Sequence, residues 1–216
     1  MTGYFGLDGK RLNIFVKICG LTTREDVEAV SDLKPDAIGF MFWPRSKRFV
    51  PSSEAGVWAN SIPSSIHKVG VFVDAEPDEM MRTFQMAQLD ILQLHGHETP
   101  EDCKAIPYPT WKALPLTTHH EEMMQAYPVD VFLLDRYSVK SPGGTGQVID
   151  WEKASVWVRS CHKPVLLAGG LTPENVQEAI RQVRPWGVDV SSGVEGAPGK
   201  KDIKKVKAFI EACRNM

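Results

Sequence analysis

Phe15-Val16-Lys17-Ile18-Cys19-Gly20-Leu21 is the stretch on which the fold turns. Ile14 to Ile18 is mostly β-branched or aromatic, which suits a buried strand, and Gly20 ends the run. Thr22-Thr23-Arg24-Glu25-Asp26 follows at once, with hydroxyls to cap a helix and acids for its first turn. The spacing therefore puts Cys19 at the carboxyl end of a strand, just before a strand-to-helix connection. In parallel α/β folds that end carries ligands and chemistry. Alternation along the strand sends Lys17 and Cys19 to one face, an ammonium beside a thiol.

Working outward, the same unit recurs. Val27, Val30 and Leu33 keep helical spacing up to Pro35, and 36–42 is a short apolar strand that runs into a basic loop, Trp43 to Arg48. Ser52 and Ser53 are expected to cap a second helix, and His67 to Val73 reads as a third strand. Pro77 suits a first helical residue. Further strands are expected at 90–94, 110–114, 129–135, 164–168 and 187–190. Helices are expected from Thr99, over 117–126, from Asp150 and from Thr172, and a last one carries Ile203, Val206, Phe209, Ile210 and Cys213 on one stripe. This alternation predicts an α/β chain forming a single (β/α)8 TIM barrel over residues 14–216, with residues 1–13 as an N-terminal extension. An open doubly wound sheet is the alternative, but no G-x-G-x-x-G follows the first strand.

A chain of 216 residues with 43% hydrophobic and 24% charged residues fits one soluble domain with a substantial core. A net charge of −2 gives no electrostatic reason to expect nucleic acid. No apolar run approaches the roughly 18 residues that span a bilayer, so no membrane partner is expected. Cys19, Cys103, Cys161 and Cys213 are scattered without C-x-x-C spacing, neither a zinc pattern nor a disulfide framework, which fits a reducing cytoplasm.

The strand ends hold the chemistry-bearing residues. Gly169-Gly170-Leu171-Thr172 and Ser191-Ser192-Gly193 follow the last two strands, where barrels often seat a phosphate on converging backbone N–H groups; tight loops also need glycine for their own sake. Asp135 closes an apolar strand and is expected at the mouth, as a general acid or equally as a cap or ion-pair partner. Cys19 on its own reads as a small buried hydrophobe, yet a neighbouring cation is expected to lower its pKa and make it reactive. Lys17, facing inward, needs a carboxylate, and Asp189 on the adjacent last strand is the natural one. Arg45, Lys47 and Arg48 can hold a carboxylate or form a solvated loop. Gln93 and His95 are read as polar contacts at the mouth; His95 and His97 lack a third ligand, so no metal is expected. Gly143 to Gly146 is a hinge for a lid or simply a loose loop.

Taken together, these segments resemble the phosphoribosylanthranilate isomerase family. The resemblance is carried by Val-Lys-Ile-Cys-Gly-Leu-Thr at 16–22, Gly-Phe-Met-Phe-Trp-Pro-Arg-Ser-Lys-Arg at 39–48, Gln-Leu-His-Gly at 93–96 and Leu-Leu-Asp at 133–135. Gly-Gly-Thr-Gly at 143–146, Ala-Gly-Gly-Leu-Thr-Pro-Glu-Asn-Val at 168–176 and Val-Asp-Val-Ser-Ser-Gly-Val-Glu at 188–195 complete it. Arg136 departs from the small residue usual there. The resemblance implies a cofactor-free Amadori rearrangement in tryptophan biosynthesis. Asp135 would be the general acid, Cys19 the general base and Arg48 the grip on the anthranilate carboxylate. Lys17, Gln93, His95 and Asp189 would contact substrate, and Gly169, Gly170, Ser191, Ser192 and Gly193 would seat the phosphate. The expected partner is a small phosphoribosyl substrate, and the expected state a monomer, with a homodimer as the alternative. Rival readings are a non-catalytic phosphosugar-binding barrel, which has no use for Cys19 with Asp135, or another phosphosugar-converting barrel.

Overall fold

A computed structural model describes residues 14–116, 120–135 and 149–216. Strands β1 (Phe15–Cys19), β2 (Ala37–Met41), β3 (His67–Phe72), β4 (Ile91–Leu94), β5 (Thr110–Pro115), β6 (Val131–Asp135), β7 (Val165–Leu167) and β8 (Gly187–Val190) pair in parallel and close into one barrel. Closure excludes the open-sheet alternative. The seam is the β1–β8 pairing, whose register sets Lys17 opposite Asp189. Outside run α1 (Arg24–Asp32), α2 (Ser52–Ala59), α3 (Pro77–Met86), α4 (Pro100–Lys104), α5 (His120–Ala126), α6 (Trp151–Ser160), α7 (Val176–Val183) and α8 (Ile203–Arg214). No described helix is long and apolar enough to cross a membrane.

The core has two layers because each strand shows one face to the barrel interior and the other to the helices. Ala37, Val69, Ile91, Trp111, Val131, Leu133 and Leu166 fill the interior. Phe15 floors it, stacked on Trp186 at 4.4 Å and meeting Trp111 edge-on at 6.0 Å. The opposite parity, including Val16, Ile18, Phe40, Leu92 and Phe132, packs under the helices with Trp157 and Phe209. Each such side chain contributes about 1.5–3 kcal/mol of burial.

Several helix starts follow the sequence signals. The Thr23 hydroxyl accepts from the Asp26 amide, Thr99 and Asp102 form a reciprocal capping box, Pro77 opens α3, and Asp150 accepts from the Lys153 amide. Two expectations are corrected. Ser52 and Ser53 are the first residues of α2 rather than its caps, because Pro51 occupies the cap with extended backbone; Ser52 instead reaches Met86 Sδ at 3.2 Å. Likewise α7 begins at Val176, not Thr172. Asn175 accepts from the Thr172 amide and donates to the Gly170 carbonyl, winding the chain into a turn first. Between β8 and α8 the sequence reading missed a 3-10 turn, Ser192–Val194, and a hairpin of β9 (Glu195–Ala197) and β10 (Lys200–Lys201).

Candidate active site

The interior parity that carries Ala37, Ile91, Val131 and Leu166 continues upward to Lys17, Cys19, Gln93, His95, Asp135 and Asp189. At the carboxyl end of β6, Asp135 shares one hollow with Asp189, Gly169, Gly170, Ser191, Ser192 and Gly193. The acid and both glycine turns are thus brought together. Gly169 and Gly170 take left-handed backbone at φ 83° and 72°, so those residues are required by the turn itself. At Gly193 the demand is close approach: a Cβ would lie 1.8 Å from the Leu171 carbonyl oxygen, so only glycine lets the two turns touch.

Cys19 comes to the same region from β1, which β7 and β8 separate from β6 around the barrel. Its surroundings reverse one expectation. The thiol is only 7% exposed, and burial pushes its pKa above the ordinary value; Lys17 pulls it down, Asp189 pushes it up again, and Lys201 pulls it down. Lys17 cannot win because its charge is divided, its ammonium donating to Asp189 Oδ1 at 3.0 Å while facing the thiol. Burial acts against the lysine's charge, but Asp189 and Cys19 outweigh it and its pKa is raised. Lys17 is completely buried, so it serves the pair rather than the hollow; its expected partnership with Asp189 is present.

Gln93 and His95 prove to be neighbours of the acid. His95 Nε2 lies 3.3 Å from Asp135 Oδ2, and His95 Nδ1 lies 3.0 Å from Gln93 Nε2. Gln93 is 1% exposed, and its Oε1 has no hydrogen-bond partner among the described residues.

Arg48 is not a solvated loop residue. Its Nε and Nη2 donate to Glu195 Oε1 and Oε2 at 2.7 and 2.8 Å, a bidentate pair that raises its pKa chiefly through that hydrogen bond. Lys201 Nζ reaches the same Glu195 at 3.1 Å and the Ser191 carbonyl at 3.1 Å. Burial pushes Glu195 upward, but Arg48 and Lys201 more than offset it and hold the carboxyl below its usual range. Sequence reasoning missed Glu195 and Lys201 as site residues. Glu195 ends a recognised segment, but Lys200-Lys201 reads as a solvated face unless the hairpin register is known.

Among the described residues no three His, Cys, Asp or Glu side chains converge as a metal-ligand set. Arg136 and the Gly143 to Gly146 loop lie outside the described residues.

A family model described as N-(5'-phosphoribosyl)anthranilate isomerase matches residues 16–212. The chain belongs to that family. An N-(5'-phosphoribosyl)anthranilate isomerase of Chromohalobacter salexigens is 43% identical over 198 residues, 90% of this chain and 92% of that one. The phosphoribosyl anthranilate isomerase of Thermus thermophilus superposes with a TM-score of 0.84 at 36% identity, covering 92% of this chain and 98% of that one. A further isomerase structure holds reduced 1-(o-carboxyphenylamino)-1-deoxyribulose 5-phosphate; its TM-score is 0.82 at 35% identity, over 94% of this chain and 100% of that one.

Proposed function

We propose that Asp135 and Cys19 carry out the family's isomerisation in this protein, converting N-(5'-phosphoribosyl)anthranilate to 1-(2-carboxyphenylamino)-1-deoxyribulose 5-phosphate in tryptophan biosynthesis. In the first step Asp135 gives its proton to the furanose ring oxygen as the bond from that oxygen to the anomeric carbon breaks. The nitrogen lone pair fills the gap, leaving an open-chain Schiff base. Cys19, as thiolate, then removes the proton from the adjacent sugar carbon, and the electrons flow to nitrogen to give an enolamine. Tautomerisation delivers the ketone. Each proton transfer can contribute about 10²–10⁴ in rate. The scheme uses no cofactor and no metal.

The observation that carries this reading is the shared hollow. Asp135, the two glycine turns and Asp189 line it together, and Asp189 also bears on Cys19 through Lys17. A phosphate seated on the turns leaves the sugar between acid and thiol, and Arg48 takes the aromatic carboxylate. The reduced reaction analogue held by a structural relative supports a substrate of this kind. Residues 14–216 act as one catalytic unit working in the cytoplasm on a small molecule, without nucleic acid or membrane.

The test is turnover. Substrate is generated in situ from anthranilate and phosphoribosyl pyrophosphate with a phosphoribosyltransferase, and its fluorescence is followed. Wild type is expected to consume it, Cys19→Ala and Asp135→Asn to lose about 10²-fold or more, and Arg48→Ala to suffer mainly in KM. Full activity in either of the first two variants refutes the assigned roles.

A further inference from the structure

The Arg48–Glu195–Lys201 cluster is more than a brace for the last hairpin. Antiparallel pairing of β9 with β10 sets Lys201 opposite Glu195, and the Lys201 amide is tied to Asp26 Oδ2 at 3.0 Å. The lysine's side chain is completely buried, and Glu195 and Arg48 are only 5% and 16% exposed. Two cations therefore share one carboxylate in a nearly dry setting. A purely structural ion pair balances its charges, because an uncompensated buried charge is costly. Lys17 and Asp189 balance one to one nearby; here two bases meet one acid, with the buried Asp26 carboxylate on the Lys201 amide, and burial lowers the Lys201 pKa.

The cluster sits between the two anion grips. Arg48 packs where Gly20 leaves room: a Cβ on Gly20 would lie 2.5 Å from Arg48 Cδ and 2.9 Å from Ser191 Oγ. At the other end, Lys201 holds the Ser191 carbonyl. The peptide that follows is trans, so its carbonyl and its N–H point in opposite directions. Pulling the Ser191 oxygen toward Lys201 thus turns the Ser192 N–H away from the ammonium, and Ser192 lines the hollow.

We propose that Glu195 and Lys201 are positioning residues that join the Arg48 guanidinium and the Ser191–Ser192 peptide into one unit, fixing the distance between the carboxylate grip and the phosphate cradle. The unit selects substrates that carry both anions at that separation. This rests on the roles proposed for Arg48 and the glycine turns, and it goes further by naming what holds them in register.

Inorganic phosphate, as a competitive inhibitor and in direct calorimetric binding, reads the cradle without turnover; the substrate's KM reads both grips together. Lys201→Met is expected to weaken phosphate binding and raise KM by roughly tenfold or more, with a smaller change in kcat, and Lys201→Arg to recover most of both. Glu195→Gln, which keeps the shape but frees Arg48, is expected to raise KM while phosphate binding stays near wild type. A folded Lys201→Met protein with wild-type KM and phosphate affinity overturns the proposal. If that variant does not fold, a wild-type KM in Glu195→Gln overturns it. Failure of the underlying assignment is seen separately, as wild-type protein that binds phosphate but does not consume the substrate.

Discussion

Burial sets the problem at Cys19. A base must be a thiolate, yet burial first and Asp189 after it hold this thiol above its ordinary pKa in spite of Lys17 and Lys201. The neutral thiol therefore dominates near pH 7 in the free protein, and kcat/KM is expected to climb on the alkaline side as the thiolate fraction grows. Alkylation with iodoacetamide, read peptide by peptide to separate Cys19 from the half-buried Cys161, should show a midpoint pH above that of an unperturbed thiol. A midpoint at or below it contradicts this balance of burial and charge. Once the barrel is taken as closed, the Lys17–Asp189 partnership is legible in the sequence, since alternation then suffices to pair two residues on its first and last strands. The direction of the Cys19 shift was not. Desolvation sums over everything packed around a group, and a local cation reports one contribution only.

At the level of elements, one buried carboxylate holds the loops around His95. Glu98 accepts from the Asp74 and Gly96 amides at 2.9 Å each and from Lys112 Nζ at 2.9 Å, joining the loops after β3 and β4 to β5. Lys112→Met strands that charge and is expected to cost about 3–5 kcal/mol in urea unfolding. A loss under about 1 kcal/mol would mean the cluster relaxes freely. The β9–β10 hairpin makes a pH-dependent contribution. Because the folded pKa of Glu195 lies below its unfolded value, its stabilisation is full above the unfolded pKa and disappears as pH falls through the folded one. The melting temperatures of wild type and Glu195→Gln should therefore differ near neutrality and converge in strong acid; a constant gap argues against this linkage. Strands were readable almost to the residue, because apolar runs bounded by glycine, proline and acids leave little choice. The α7 start was not, since Asn175 spends its side chain on the preceding turn, and the hairpin around Glu195 is too short and too charged to show a period.

For the whole molecule, the decisive event is the meeting of the first strand with the last. Repetition of strand and helix predicts either a barrel or an open sheet; what separates them is pairing between segments about as far apart in the chain as they can be, which no local pattern encodes. Lys17 and Asp189 bridge that seam. Asp189→Ala leaves a buried ammonium unpaired and is expected to cost about 3–5 kcal/mol, whereas the double variant Lys17→Met with Asp189→Leu should recover most of the stability and none of the turnover. Equal instability in both would deny the pair its place in closure.

The bridge at the seam is latch and tool at once. Whatever parts the first strand from the last leaves Lys17 without Asp189 and draws the thiol away from the hollow that Asp189 lines, so a partly opened barrel has no working intermediate form. Residual turnover in a heated sample therefore counts intact molecules, and inactivation should run in step with the loss of strand pairing rather than ahead of it.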